Sequence, residues 1–320
     1  MTTSISNIGT CVAGVKFENP LLNAAGCCDI NKDQLDELMA SRAGGVVTKS
    51  GTLLARGGNI YPRLFIDNSN NSINSIGFDN MGVQFYAKYR SNVSKPFIQS
   101  IHADNPSELP GLLNSLTKQS PRLIELDIGC PNVPKEKQGL NWDNYETLLS
   151  AMSMTEKELI WGVKLPPLFY PQDISQMARL VQKSNASFIT TINTIPNGLL
   201  VDIWHGTTRI HPNEGRGGIG GATTKPIGLA NVQQFYKEFG VGRQIDIIGC
   251  GGISSATDIM EYIMCGAKAV QIGTYLLKYG PDIFKTLEQQ LSAIVSQLAR
   301  NRSMVLSDFV GTLKVQKAAL

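Results

Sequence analysis

The residues of this chain best able to do chemistry gather in one stretch, 124–134, IELDIGCPNVP. An apolar run (Leu123, Ile124, Leu126, Ile128) reads as a buried strand, and Gly129-Cys130-Pro131-Asn132 is a turn that cannot continue it. Asp127 stands three residues before Cys130, so a carboxylate, a thiol and an amide converge where a strand meets its loop. A thiol so placed has the composition of a general base or nucleophile. Unperturbed thiols titrate near pH ~8.5, so a cysteine base predicts a rate that rises with pH unless neighbours lower that value. The plain alternative makes Cys130 a small buried hydrophobe and Asn132 a turn former.

Two lysines and three glycine clusters extend this picture. GGVVTKS (44–50) ends in Lys49 and Ser50, and IWGVKLPP (160–167) carries Lys164 after its apolar residues. A fixed cation at a strand end can hold negative charge developing on a reduced cofactor, although structural ion pairing is the commoner fate of a lysine. GGIGG (217–221), GCGG (249–252) and QIGT (271–274) offer backbone N–H groups without a Cβ in the way. Each cluster alone reads as a tight turn. Together, near the last two strands of a barrel, they point to a phosphorylated cofactor.

The elements that must position these groups alternate in type. Strand-like runs are FENPLLNAAG (17–26), GGVVTKS, PFIQSIH (96–102), the central run, IWGVKLPP, SFITTIN (187–193), DIIGCGG (246–252) and AVQIGT (269–274). Their ends fall near Ala25, Lys49, Ser100, Asp127, Lys164, Asn193, Ile248 and Ile272. Helical patterns cover 31–41, 86–94, 107–120, 145–154, 174–184, 227–239 and 256–265. The expected fold is a (β/α)8 TIM barrel in the α/β class, a single domain over 1–320. Two long turn-rich segments, 51–80 and the one carrying GRGGIGG (215–221), read as loop excursions over the C-terminal mouth. On this reading Lys49, Asp127, Cys130, Asn132, Lys164 and Asn193 ring that mouth.

Bulk composition narrows the function classes. With 320 residues, 42% hydrophobic and 17% charged, the chain can bury one large core. A formal charge of +3 with scattered Lys and Arg gives no nucleic-acid footprint and no membrane-binding stripe. MTTSISNIGT lacks the basic start and apolar core of a signal peptide, and a cytoplasmic protein acting on a small molecule is expected. Six dispersed cysteines suit reduced thiols, and three histidines without a CxxC pair make a metal site unexpected. Redox chemistry would therefore need an organic cofactor.

FENPLLNAAG, VVTKS followed by TLLARGGNIYPR, SINSIGFDNMG, CPNVP, GVKLPP, TINT, GRGGIGG, GCGGI and VQIGT stand in an order and spacing that closely resemble the class 1A dihydroorotate dehydrogenases. The resemblance runs from about Phe17 to the FVGTLK end. It implies a homodimeric FMN enzyme of pyrimidine biosynthesis that oxidises dihydroorotate and passes electrons to fumarate. Class 1B relatives need an iron-sulfur partner subunit, and the GRGGIGG and PNVP segments look more like class 1A. Membrane-anchored relatives carry an N-terminal helical extension and a serine in place of Cys130. The implied FMN contacts are Ala25, Gly26, Lys49, Ser50, Asp127, Lys164, Ile192, Gly221, Gly251, Gly252, Gly273 and Thr274. The implied substrate contacts are Lys49, Asn74, Ile76, Gly77, Phe78, Asp127, Asn132, Asn193 and Thr194. Cys130 would act as base, with Lys164 as the second catalytic group.

Departures from that pattern concentrate on the substrate side. Where the family usually has LNLSCPN, this chain has LDIGCPN, so Asp127 replaces an asparagine. An ionised carboxylate accepts but cannot donate, which should weaken binding of an anionic pyrimidine. Either burial keeps Asp127 protonated or the substrate differs from dihydroorotate. Ile76 and Phe78 stand where methionine and leucine are common, Arg216 replaces a phenylalanine, and Lys135 replaces a glycine. Two further readings follow: a flavin oxidoreductase acting on another dihydro-heterocycle or unsaturated carboxylate, and a non-enzymatic flavin-binding paralogue.

Overall fold

Eight short strands pair in parallel in chain order: β1 (Leu21–Asn23), β2 (Val46–Val47), β3 (Phe97–Ile101), β4 (Leu123–Asp127), β5 (Trp161–Lys164), β6 (Phe188–Thr191), β7 (Asp246–Cys250) and β8 (Ala269–Ile272). β8 pairs with β1, and a parallel bridge between Leu22 and Gly45 closes the ring, as the alternating pattern predicts. The computed structural model describes residues 7–117, 123–132, 139–154, 159–240, 245–300 and 302–316. Helices cover the outer face and the closed ring encloses the inner one, so β4 is buried at all five positions even though Glu125 and Asp127 interrupt its apolar residues.

The barrel has a plugged end and an open end. A hairpin of Thr10–Val12 and Val15–Phe17 caps the bottom, where Val12 and Phe17 pack on Leu22, Val47, Ile98, Leu123, Phe188, Ile248 and Ala269. The opposite, C-terminal ends of the strands carry Asp127, Lys164 and Thr191. Register then decides which residues meet: Asp127 lies beside Lys164, Lys164 beside Thr190, and Cys250 beside Gln271.

Helix boundaries follow their caps. Asn31 accepts from the Gln34 N–H and starts helix Lys32–Ala40, and Ser255 with Asp258 forms a capping box for Ala256–Cys265. Three helices begin earlier than apolar periodicity alone suggests. Trp142–Ser153 is capped by Asn141, while Pro171–Lys183 and Lys225–Phe239 carry a proline in their first turn. The helix expected over 86–94 is instead Val83–Lys88. It stops because the Tyr89 hydroxyl donates to Asp36 Oδ1 at 2.8 Å and its ring stacks on Phe97, which holds Tyr89 in extended backbone. The one expected over 107–120 is a 3₁₀ turn, Pro106–Glu108, running into Leu109–Thr117, with 118–120 outside the described residues. Two helices that periodicity did not reveal, Thr274–Tyr279 and Ile283–Ala299, follow β8.

The two excursions are not independent loops. Asn71–Asn74 from the first pairs antiparallel with Arg216–Gly221 from the second, flanked by Leu64–Ile66 and Ile195–Leu199 in one four-stranded sheet beside the mouth. Beyond it a small hairpin, Val201–Asp202 with Thr207–Thr208, leaves Leu199, Val201, Ile203 and Trp204 exposed. Among the described residues, no helix is long and apolar enough to cross a membrane.

Candidate functional site

A cavity of about 300 Å³ opens at the C-terminal mouth. From the substrate side of the sequence reading, Lys49 follows β2, Asn74 ends its strand of the covering sheet with Ile76, Gly77 and Phe78 in the loop after it, Asp127 ends β4 with Cys130 and Asn132 just beyond, and Asn193 and Thr194 follow β6. All of them line this cavity. On the cofactor side, Ala25 and Gly26 after β1, Lys164 at the end of β5, Ile192 after β6, Gly221, Gly251 and Gly252, and Gly273 and Thr274 after β8 line it as well. Ser50 does not. It is buried behind the wall, where its hydroxyl donates to Asp127 Oδ2 at 3.2 Å and meets Ser100 Oγ at 2.9 Å. Arg216 also lies away from the cavity, exposed and paired with Glu214, and Lys135 falls outside the described residues.

Lys164 is fixed by a buried chain that its own sequence neighbourhood does not reveal. Its Nζ donates to Gln271 Oε1 at 2.9 Å, and Gln271 Nε2 donates to Glu125 Oε2 at 2.6 Å. Thr190 Oγ1 donates to the same oxygen at 2.6 Å, and Glu125 Oε1 has no partner. Burial alone would lower the lysine's pKa; Cys250, Glu125 and Asp127 act in the opposite sense and hold it above the usual lysine range. Burial raises the carboxyl of Glu125 in turn, against the pull of Lys164. The lysine thus presents a fixed cation in a site shielded from water, where electrostatic interactions are strong.

Cys130 is under the opposite pressure. Burial, with the Asp127 carboxylate next, pushes its thiol up to about 12, against the Asn132 backbone N–H and the charges of Lys49 and Lys164. No neighbour lowers it below the ordinary value, so a base here is held mostly as thiol.

Asp127 is satisfied by the protein itself. Oδ1 accepts from the Gly129 N–H and from Asn193 Nδ2, each at 3.1 Å, and Oδ2 from Ser50. The carboxylate therefore faces donors on the chain, and it brings a ligand no donor of its own. The remaining amides form a second set: Asn132 Nδ2 donates to Asn74 Oδ1 at 2.9 Å, and Asn193 Oδ1 accepts from the Thr194 N–H at 2.8 Å.

The other end of the cavity suits a flat cofactor with a phosphate. Gly221 sits at φ +85° and Gly252 at φ +66°, conformations that cost an L side chain dearly. A Cβ on Gly273 would stand among lining residues, 3.5 Å from Cys27 Sγ and 3.6 Å from Ala24 Cβ, in space a planar ligand could use. Ser72 and Thr274 share a hydroxyl hydrogen bond of 2.8 Å on the same wall. Beneath Gly26, Asp29 Oδ2 accepts that residue's N–H at 2.8 Å while Oδ1 has no partner, and burial pushes this carboxyl up to about 7. The residues fit a flavin. Glu125, Gln271, Thr190, Asp29 and Ser72 escape sequence reading because nothing in their local pattern separates a polar residue inside an apolar run from one on a solvated face. Among the described residues, no group of His, Cys, Asp and Glu is arranged to hold a metal ion.

Comparison with known proteins bears directly on this site. The family model described as Dihydroorotate dehydrogenase matches residues 7–295. A protein named Putative dihydroorotate dehydrogenase A (fumarate) from Streptococcus agalactiae is 39% identical over 315 residues, covering 96% of this chain and 98% of its own length. Dihydroorotate dehydrogenase A (fumarate) from Lactococcus lactis subsp. cremoris is 37% identical over 316 residues, covering 96% and 99%. A crystal structure of DHODH in complex with ferulenol from Eimeria tenella superposes with a TM-score of 0.78 over 98% of this chain and 90% of its own, at 17% identity, and speaks for the fold. With a barrel, a lysine-fixed mouth and 37–39% identity over nearly the full length of class 1A proteins in agreement, the chain belongs to the dihydroorotate dehydrogenase family, a flavin-dependent family of oxidoreductases, and stands with its class 1A members.

Proposed function

We propose that this protein oxidises dihydroorotate to orotate in pyrimidine biosynthesis, with FMN as its flavin and fumarate as the electron acceptor. The observation that carries the reading is the convergence of Cys130, Lys49, Lys164 and the asparagines 74, 132 and 193 on one cavity. FMN, when bound, supplies the acceptor for hydride and the store of electrons for the second substrate.

The chain's own groups do the rest. Cys130 Sγ takes the proton from one carbon of the dihydropyrimidine as hydride leaves its neighbour. Asn74, Asn132 and Asn193 offer the mixed donors and acceptors that alternating ring C=O and N–H groups require. Lys164, held on Gln271 and Glu125, keeps its ammonium on the cofactor side, and Lys49 supplies a second cation for an anionic substrate. Gly221, Gly251, Gly252, Gly273 and Thr274 would hold the phosphate, and Ala25, Gly26 and Ile192 the flat ring. Ser50 would act through Asp127 rather than by touching the cofactor.

The three donors already on Asp127 favour dihydroorotate over a changed substrate, because the carboxylate is spoken for by the chain. Retention of Cys130 and both lysines argues against a binding-only paralogue. Assembly as a homodimer and a cytoplasmic location accompany this reading and rest on the resemblance to class 1A.

The test is anaerobic mixing of the yellow holoprotein with L-dihydroorotate while flavin absorbance is followed. Rapid bleaching that Cys130→Ala loses supports the proposal. Flavin that dithionite reduces but dihydroorotate does not would overturn it and redirect attention to another substrate.

A further inference from the structure

Phe78 is an unusual wall for a substrate cavity. It is a bulky residue at φ +54°, a left-handed backbone that such side chains rarely adopt, so neighbours must hold it there. One of them is His102, at the end of β3, whose ring stacks on the Phe78 ring with centroids 3.9 Å apart and planes 16° from parallel. Both residues are buried. His102 does not line the main cavity, and neither composition nor spacing marks it as part of the site.

His102 is itself tied at both nitrogens. Nδ1 lies 2.8 Å from the main-chain oxygen of Asp127, and since a carbonyl only accepts, Nδ1–H donates. Nε2 faces Asp104 Oδ1 at 3.3 Å, and Arg56 pairs with the other oxygen of that carboxylate. His102 first and then Arg56 hold Asp104 far below the usual carboxylate range. Arg56 and Asn80 exchange backbone hydrogen bonds at 2.9 Å each way, and Asn80 Nδ2 donates to the Phe78 carbonyl at 2.6 Å. The contacts thus close on themselves: Phe78, Asn80, Arg56, Asp104, His102 and back to Phe78. The far side of His102 is not packed core. Together with Asp104 it lines a second cavity of about 200 Å³ behind the Cys130 loop.

We propose that His102 is a positioning residue for the substrate site: anchored to the Asp127 carbonyl, it sets the place of the Phe78 ring and so the width of the cavity between the covering sheet and the catalytic strand. The proposal rests on the substrate-site reading above. The Lys49 ammonium lies 5.5 Å from the same ring's centre, so the stack also defines the surroundings of the cation facing the substrate. His102 touches neither substrate nor cofactor; it acts through Phe78. Its loss should therefore change substrate binding far more than the limiting rate of flavin reduction.

The experiment compares holoenzyme, His102→Ala, Phe78→Leu and the double variant by stopped-flow reduction with L-dihydroorotate, separating Kd from the limiting rate. His102→Ala should raise Kd at least tenfold with the limiting rate within threefold, and should add nothing in the Phe78→Leu background. A Kd within twofold of wild type, or an equal loss in both backgrounds, overturns the proposal. A readout without substrate guards against failure of the functional reading. In protein labelled with 4-fluorophenylalanine, the ¹⁹F resonance that Phe78→Leu removes should shift and broaden in His102→Ala. Wild-type flavin that ignores dihydroorotate would sink the functional reading, leaving the ¹⁹F result to decide: a shifted, broadened resonance supports the positioning role and an unchanged one overturns it.

Discussion

Replacing Asp127 by asparagine would remove one negative charge from the mouth and little else. The asparagine oxygen can still accept from the Gly129 N–H and Asn193 Nδ2, and its amide can donate to Ser50 Oγ, whose hydroxyl can turn to Ser100. Folding stability should fall by about 1–2 kcal/mol at most. The effect on Cys130 is larger. With its thiol pushed up to about 12 by burial and Asp127, Cys130 is a thiolate in only ~1 molecule in 100,000 at neutral pH. A carboxylate at close range is worth ~1–2 pKa units, so the variant should hold ~10–100 times more thiolate. A weaker base abstracts more slowly, and with a Brønsted coefficient of ~0.5 the net gain is ~3–10-fold in the limiting reduction rate. Binding of the anionic substrate should also tighten, because a like charge has gone. The assay is anaerobic flavin reduction by L-dihydroorotate across the range where the protein is folded. Wild-type rate should climb about tenfold per pH unit throughout, and the same limb should appear ~0.5–1 unit lower in the variant, matching the ~3–10-fold gain. An unshifted limb with an unchanged rate would refute the electrostatic link between Asp127 and Cys130.

Glu125→Gln keeps partners for Thr190 and Gln271 but strips the buried countercharge from Lys164. Stability of the flavin-free protein in urea should drop by ~3–5 kcal/mol, and the midpoint potential of bound FMN should become more positive; an unchanged melt would mean the pair is not ionic. Asp29, raised from the ordinary carboxyl value to about 7 by burial, predicts a pH-dependent stability of its own. The folded state holds this proton more tightly than the unfolded chain, so stability is greatest below the unfolded value and falls by up to ~4 kcal/mol as pH rises to about 7, then levels. Urea melts at intervals from pH 4 to 8 should show that slope, and Asp29→Asn should flatten it.

Much of the site is legible along the chain because chemistry sits where an apolar run breaks. Asp127 and Lys164 end buried strands and Cys130 follows one, and turn residues mark the place where each chain segment leaves the barrel. The glycine clusters are readable for a similar reason, since φ values such as those of Gly221 and Gly252 leave few other residues possible. Helix starts are less legible: Pro171 and Asn141 move them ahead of the apolar period, through cap chemistry that periodicity does not weigh. The sheet joining Asn71–Asn74 to Arg216–Gly221 has no local signature, because each half is turn-rich by itself and becomes a strand only against the other.

The sequence by itself determined the alternation of strands and helices, the identity of the groups at the mouth and the small-residue wall, because these depend on local periodicity, turn chemistry and side-chain type. Tertiary structure alone decided how those groups are held. Gln271 reaches Glu125 across 146 residues of chain, Ser50 stands behind Asp127 instead of in the cavity, and His102 meets Phe78 only because β3 and the covering sheet converge. Such pairings follow from barrel closure and strand register, which are properties of the whole chain and cannot be read from any one stretch of it.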